Sequence, residues 1–229
     1  MPVKIRVLVL TLLALQAGAG FAPRALASDN AAALHATQPE LASGSAMVVD
    51  MQTHKVMYAR NPDEVVPIAS ITKLMTAMVA LDSKRPMGSR LKVTAADRDL
   101  LKKTHSRLTI GSVLSRRDML HIALMSSENR AAAALSRSYP GGRKAFVAKM
   151  NQKARAIGMK RARFYDPTGL TPRNVATAND LLKMVNHAYR YQSIRRFSTD
   201  KQQIVRPGRG QLVYRSSNGL INNPAWKIQ

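Results

Sequence analysis

Short apolar runs and one long apolar segment alternate with polar stretches along the chain. Residues 44–51 and 55–59 are apolar runs separated by a polar triplet, which predicts a β-hairpin. Eight of the eleven residues at 71–81 are apolar, and a helix that is apolar nearly all round is a buried one. The pattern therefore predicts a buried helix that begins next to Ser70.

The remaining pattern predicts mostly helices, followed by late strands. The predicted elements are helices at 118–125, 129–139 and 144–157, a strand-to-turn segment at 164–170, a helix capped at 177–180 and running to Tyr189, and strands at 212–214 and 226–228. The stretch from residue 192 to the turn at 207–210 is polar and without a clear period. Strands at both ends and helices between them indicate an α+β fold rather than alternating βαβ units.

The first residues have the features of an export signal. A basic start is followed by a mostly apolar segment at 7–22 and by Ala25-Leu26-Ala27, which fits the small-x-small cleavage rule. We predict a signal peptide at 1–27, cleaved near Ala27, and a loose leader at 28–43. The alternative is an uncleaved membrane anchor, but the apolar run is shorter than the ~20 residues that span a bilayer.

Composition limits the possible chemistry. The chain has no cysteine, which excludes disulfides, cysteine nucleophiles and thiolate metal sites. The five histidines show no HExxH or paired i, i+4 spacing, so we predict no metal and no cofactor. The formal net charge of +23 favours association with anionic polymers, whether nucleic acid, lipid surface or acidic wall material.

Three stretches match the pattern Ser-x-x-Lys, so context must choose among them. They are Ser70/Lys73, Ser89/Lys92 and Ser198/Lys201. The second leads into a segment that alternates like an edge strand, and the third lies in the polar run without a period. Only the first begins a predicted helix, where positions i and i+3 share one face and set the hydroxyl beside the amine.

Lys73 is an unusual residue for a buried helix, because an unpaired ammonium there must find a partner or lose its proton. A neutral lysine beside a serine is a general base next to its nucleophile. The N-terminus of the helix adds backbone N–H groups that can hold an oxyanion. The alternative is that Lys73 extends to solvent and Ser70 only caps the helix.

Ser-x-Asn also occurs three times. The occurrences are Ser28/Asn30, Ser127/Asn129 and Ser216/Asn218. The first adjoins the predicted cleavage site and the third lies in a polar loop. Ser127 and Asn129 lie between two predicted helices, where a fixed loop can present both side chains to a cleft. The alternative is that Ser126 or Ser127 simply caps the next helix.

Together, Ser70, Lys73, Ser127 and Asn129 resemble the first two signatures of penicillin-recognising serine enzymes, S-x-x-K and S-D-N. Segments 67–77, 123–133 and 166–170, listed here in chain order, are similar to low-molecular-mass D-alanyl-D-alanine peptidases, especially the endopeptidases of the Gram-negative periplasm. The resemblance covers about residues 44–229. It implies the fold of those enzymes, an antiparallel sheet flanked by helices, and a periplasmic location.

The resemblance also implies a role for each residue. Ser70 would attack the carbonyl of a D-alanyl peptide bond in peptidoglycan and form an acyl-enzyme, while Lys73 takes its proton. Ser127 would relay a proton to the leaving amine. Asn129 would hydrogen-bond the substrate amide and steady Lys73. β-Lactams would acylate the same serine, and no metal, cofactor, nucleic acid or stable membrane anchor is implied.

The third signature of these enzymes, Lys-Thr-Gly, is absent from the sequence, and the nearest string is Lys103-Thr104-His105. In the family it follows a segment that resembles 212–229, where this sequence stops. We therefore expect residues 44–229 to be a partial domain without the last strands of the sheet. Losing one oxyanion donor typically costs ~10²–10³ in rate, so we expect weak activity or none from this chain.

Two other functions remain open from the sequence. A non-catalytic basic protein that binds wall polymer or nucleic acid is favoured by the charge and by clusters such as Arg195-Arg196. The low aromatic content of 5%, the export signal and the even spread of basic residues argue against it. A β-lactamase would share the motifs, but no deacylating-glutamate signature is recognisable.

Overall fold

The computed structural model describes residues 41–208 and 210–225, and most of its helices lie where the polarity pattern predicts them. The helices are α1 (Thr72–Asp82), α2 (Arg116–Met125), α3 (Asn129–Arg137), α4 (Gly142–Ala156), α5 (Ala178–Ala188) and α6 (Gln192–Thr199). The strands are β1 (Ala46–Val49), β2 (Val56–Arg60), β3 (Val66–Pro67), β4 (Arg90–Lys92), β5 (Val113–Ser115), β6 (Val175–Ala176), β7 (Gln202–Val205) and β8 (Leu212–Arg215). They form the antiparallel pairs β1–β2, β3–β6, β4–β5 and β7–β8. The α+β prediction is confirmed.

The chain divides into two compact units, and the described part of the first is a hairpin. Strands β1 and β2 pair antiparallel, with Ala46 opposite Arg60. The turn between them is closed by the carboxylate of Asp50, which accepts hydrogen bonds from the backbone N–H groups of Gln52 and Thr53. This hairpin confirms the prediction from the two apolar runs.

The second unit, from residue 63 onward, is organised around helix α1. Helices α2, α3, α4 and α5 all pack against α1, and its side chains are buried on nearly every face. Met75 and Met78 have no exposed surface. Four consecutive alanines in α3 are also buried, which lets the neighbouring helices approach closely. The sequence thus places Lys73 inside the most buried helix of the unit.

The polar stretch after residue 191 contains two elements that the sequence analysis did not predict, helix α6 and strand β7. Helix α6 buries only Ile194 and Phe197, which are 3% and 2% exposed, and two apolar positions are too few to reveal a helical period. Strand β7 pairs with β8, whose prediction at 212–214 is confirmed.

At 164–170 the predicted strand does not form, and the segment is a loop. The predicted signal peptide and the strand at 226–228 lie outside the described residues. Within the described ranges, no helix is long and apolar enough to cross a membrane.

Candidate active site

The nucleophile candidate Ser70 lies in a short 3-10 helix, Ala69–Ile71, that leads directly into α1. Its hydroxyl oxygen is 3.1 Å from Nζ of Lys73 and 2.9 Å from Oγ of Ser127. The residue before it, Ala69, has a φ of +44°, a left-handed conformation that non-glycine residues rarely adopt. Three of the four predicted site residues therefore meet at one oxygen atom, next to a strained backbone position.

Lys73 is buried, with only 3% of its surface exposed, so its side chain does not extend to solvent. Its Nζ donates hydrogen bonds to Oγ of Ser70 at 3.1 Å and to the carbonyl oxygen of Thr168 at 2.8 Å. Burial lowers the pKa of Lys73 from 10.5 to about 8, although the carboxylates of Asp166 and Glu128 act in the opposite direction. An appreciable fraction of neutral amine is therefore present near pH 8.

Ser127 lies in the loop between α2 and α3, and its φ of +57° turns the chain so that Oγ donates to Ser70. The preceding Ser126 donates from Oγ to the carbonyl oxygen of Arg215 at 2.6 Å, which ties the loop to the end of β8. Helix α3 is capped by Glu128, whose carboxylate accepts from the backbone N–H of Arg130. Neither serine caps α3, so the alternative reading of this motif as a helix cap is wrong.

Asn129, the fourth predicted residue, begins α3. Its Nδ2 donates to Oγ1 of Thr104 at 3.1 Å, and its Oδ1 is buried without a hydrogen-bond partner among the described residues. Among the described residues, the side-chain amine of Lys73 donates hydrogen bonds to Ser70 and Thr168 and not to Asn129. The structure thus places Asn129 at the edge of the site without the contact to Lys73 that the resemblance implied.

The loop that follows residue 164 lies against Lys73 and forms one wall of the site. The carboxylate of Asp166 accepts from the backbone N–H groups of Thr168 at 3.0 Å and Gly169 at 2.7 Å. Thr76 of α1 donates from Oγ1 to the carbonyl oxygen of Pro167 at 2.7 Å. These bonds fix the carbonyl of Thr168 in the position where it accepts from Lys73.

Asn174 stabilises this loop by hydrogen bonds to the loop and to α1, and the sequence analysis did not single it out. It has no exposed surface, and its Nδ2 donates to Thr72 Oγ1 at 3.1 Å and to the carbonyl oxygen of Asp166 at 3.0 Å. Its Oδ1 accepts from the backbone N–H of Tyr165 at 2.7 Å. A polar residue in a polar loop gives no local signal of this role, because its partner on α1 lies 102 positions away.

A cavity of about 250 Å³ opens beside these residues. Residues 95–101 line one side of it, and Asn129 and the loop with Asp166, Pro167 and Thr168 line the other. Ser70, Lys73 and Ser127 do not line this cavity, which adjoins them through Thr168, the acceptor of Lys73. Across the described part of the chain, no group of three or more His, Asp or Glu side chains is arranged to hold a metal ion.

The competing serine motifs have other surroundings. Ser89 precedes β4, as the alternating pattern predicted, and its hydroxyl donates to the carbonyl oxygen of Pro86. Ser198 belongs to α6, not to an irregular stretch, and donates to the carbonyl oxygen of Ile194 at 2.8 Å. Asn218 caps a short 3-10 helix by accepting from the N–H of Leu220. The pair Ser28/Asn30 lies outside the described residues.

Comparison with known proteins gives a family from the sequence and a matching fold from the structure. The profile of the D-alanyl-D-alanine carboxypeptidase family matches residues 32–229. A D-alanyl-D-alanine endopeptidase of Pseudomonas aeruginosa is 53% identical over 194 residues, which are 84% of this chain and 63% of the relative. A D-alanyl-D-alanine endopeptidase of Escherichia coli is 48% identical over 219 residues, or 95% of this chain and 70% of the relative. The chain therefore spans about two thirds of the length of these relatives.

The DD-transpeptidase of Streptomyces K15 superposes with a TM-score of 0.77 at 23% identity, covering 84% of this chain and 80% of that one. At this identity the likeness concerns the fold alone, and it confirms the penicillin-recognising fold that the resemblance implied. From the matching profile and the identity to these relatives, we conclude that the chain belongs to the D-alanyl-D-alanine carboxypeptidase family.

Proposed function

We propose that this protein is a serine-type D-alanyl-D-alanine endopeptidase or carboxypeptidase that acts through an acyl-enzyme on Ser70. The observation that carries the proposal is the position of the Ser70 hydroxyl, 3.1 Å from the buried amine of Lys73 and 2.9 Å from the hydroxyl of Ser127. A nucleophile within hydrogen-bond reach of a base whose pKa is lowered is the arrangement that serine acyl transfer requires. The two endopeptidase relatives support the substrate class.

In the proposed reaction the neutral amine of Lys73 takes the proton of Ser70 as Oγ attacks the carbonyl carbon. The tetrahedral oxyanion would be held by the backbone N–H of Ser70, because the N–H groups of the next two residues already donate to the carbonyl oxygens of Ile68 and Ala69. Ser127 then passes its proton to the departing amine as the C–N bond breaks and regains one from the Lys73 ammonium, which leaves the ester on Ser70 and Lys73 neutral again. Water hydrolyses this ester by the same proton transfers in reverse.

The proposed substrates are peptidoglycan peptides that carry a D-alanyl bond, and β-lactams would form a stable ester with the same serine. Asn129 lines the same cavity as Thr168, whose carbonyl oxygen accepts from Lys73, and it is the proposed contact for the substrate amide. We place the reaction in the periplasm, after removal of a signal peptide near Ala27. The net charge of +23 suits a protein that works among anionic wall polymers.

The test is covalent labelling of the full-length protein by a fluorescent penicillin. Ser70→Ala should abolish labelling, while the matched variants Ser89→Ala and Ser198→Ala should label like the unaltered protein, because their hydroxyls bond to local carbonyls. Labelling that survives in Ser70→Ala would overturn the assignment. Cleavage of a cross-linked peptide dimer, compared with release of D-alanine from a pentapeptide, then separates endopeptidase from carboxypeptidase action.

A further inference from the structure

We propose that Asp99 and Thr104 are positioning residues that fix the orientation of the Asn129 side-chain amide. The inference rests on the proposed function, in which Asn129 contacts the substrate. Its basis is a continuous chain of hydrogen bonds, in which Nδ2 of Asn129 donates to Oγ1 of Thr104 at 3.1 Å and Oγ1 of Thr104 donates to the carboxylate of Asp99 at 2.7 Å.

The direction of this chain follows from the donors available. An ionised carboxylate only accepts hydrogen bonds, so the single hydroxyl proton of Thr104 points to Asp99. The Thr104 oxygen then has only lone pairs left for Asn129, and the amide must present its NH₂ group rather than its carbonyl oxygen. With the amide reversed, two acceptors would face each other. The pair Asp99–Thr104 therefore selects one of two otherwise similar orientations of Asn129.

Asp99 is held in the charged state that this selection needs. Its carboxylate accepts from the backbone N–H groups of Thr104 at 2.9 Å, Lys102 at 3.0 Å and Leu101 at 2.9 Å. Burial alone would raise the pKa of Asp99, but these bonds and the Thr104 hydroxyl outweigh it and lower the pKa to about 2. Lys103, with a φ of +50°, turns the chain so that Thr104 comes back to this carboxylate.

The consequence for the site concerns the second N–H of the same amide. An asparagine NH₂ group has two N–H donors, and the described residues use one of them, for Thr104. Oδ1 is buried without a partner in the part of the chain that the structure describes, so it is closed to solvent. Fixing the amide thus fixes the direction of the second N–H, which can donate to an amide carbonyl of the substrate.

The decisive experiment is a double-mutant cycle on the rate of acylation by benzylpenicillin, measured in the full-length protein. Thr104→Val keeps the shape of the side chain and removes the hydroxyl. We expect its acylation rate constant to fall about tenfold, the factor for loss of one orienting hydrogen bond. In an Asn129→Ala background the same substitution should cause no further loss, because its effect acts through Asn129. Thr104→Ser, which retains the hydroxyl, should restore the rate.

The matched control is Thr94→Val on the same segment. Thr94 also donates its hydroxyl to an aspartate, Asp97, at 3.2 Å, but neither residue hydrogen-bonds to the Asn129 side chain. It should lower thermal stability without changing acylation of the folded protein. An additive loss from Thr104→Val in the Asn129→Ala background would overturn the positioning role. Failure of the proposed function itself gives a different result, since the unaltered protein would then not be acylated at Ser70.

Discussion

At the scale of single residues, the proposed catalysis depends on how Lys73 is kept inside an apolar helix. Lys73 has no carboxylate partner within hydrogen-bond distance among the described residues, only a hydroxyl and a carbonyl oxygen. Neutral acceptors stabilise an ammonium less than a buried carboxylate does, so desolvation dominates and the proton is held weakly. The acceptors of Lys73 therefore favour a base over a structural cation.

This weak hold predicts the pH dependence of acylation. Only the neutral amine of Lys73 can accept the Ser70 proton, so the acylation rate should rise with pH, reach half of its plateau near pH 8, and fall about tenfold per unit below that. Stopped-flow measurement of acylation between pH 5.5 and 9.5 checks the profile. A rate that is flat across this range would remove Lys73 as the base.

Replacement of the base gives a separate result. Lys73→Arg keeps the positive charge but cannot lose its proton near neutral pH, so acylation should fall by orders of magnitude at every pH in that range. Circular dichroism establishes whether the variant is folded. Near-normal acylation in a folded Lys73→Arg protein would contradict the proposed mechanism.

Positions in the candidate site could be predicted where a motif marked them. Ser70 and Lys73 were selected because theirs is the one Ser-x-x-Lys match that begins an apolar helix, and their expected roles came from the resemblance to the peptidase family. Thr104 and Asn174 were not, because each acquires its role from a partner far away in the sequence, 25 and 102 positions respectively. No local period or composition encodes such contacts.

At the scale of elements, the site depends on the close approach of the 165–171 loop to the start of α1. Gly169 has a φ of +83°, and a Cβ atom there would overlap the backbone carbonyl of Ala69 and meet Thr72 Oγ1 at 3.0 Å. This approach brings the Thr168 carbonyl to Lys73. A side chain at position 169 therefore cannot be added without moving the wall of the site.

Gly169→Ala should accordingly reduce both stability and acylation. The matched control is Gly158→Ala, which has a similar φ of +80° but meets nothing closer than a flexible lysine carbon at 3.8 Å. The control should lose about 1–2 kcal/mol for the left-handed conformation alone, with normal acylation. Gly169→Ala should lose more and be acylated more slowly. Urea unfolding and penicillin labelling of both variants measure this, and equal behaviour would refute the close approach.

Elements were predictable where apolar residues are numerous in the sequence. The helix after Ser70 was predicted because it is apolar nearly all round, and the hairpin because two apolar runs flank a polar triplet, although Val56 and Met57 of β2 are 50% and 54% exposed. Helix α6 was missed because only Ile194 and Phe197 are buried in it. The loop at 164–170 was wrongly predicted to begin as a strand. Its conformation is held by side-chain hydrogen bonds of Asp166 and Asn174 rather than by backbone hydrogen bonds between strands, and the sequence pattern does not reveal such bonds.

At the scale of the whole molecule, the fold was inferred from the resemblance of three short segments to the peptidase family. Residues of these three segments meet in one site. The net charge of +23 contributed little to that inference, because it suits many anionic partners and no single one. Lys73, in contrast, affects the free energy of unfolding of the whole second unit. A protonated lysine in the core of the second unit opposes folding of that unit as a whole.

That cost predicts how global stability changes with pH. The pKa of Lys73 is about 8 when folded and 10.5 in the unfolded reference, so between these values the unfolded chain binds more protons. Stability contributed by this residue should therefore rise with pH through that window and stay constant below pH 8. From pH 7.5 to 10 the gain in the free energy of unfolding is about 2 kcal/mol.

Lys73→Met, which cannot titrate, should lack this increment while sharing the pH dependence of all other groups. Urea unfolding of both proteins at the two pH values isolates the difference, and parallel pH dependences would show that the lysine is not desolvated in the folded state.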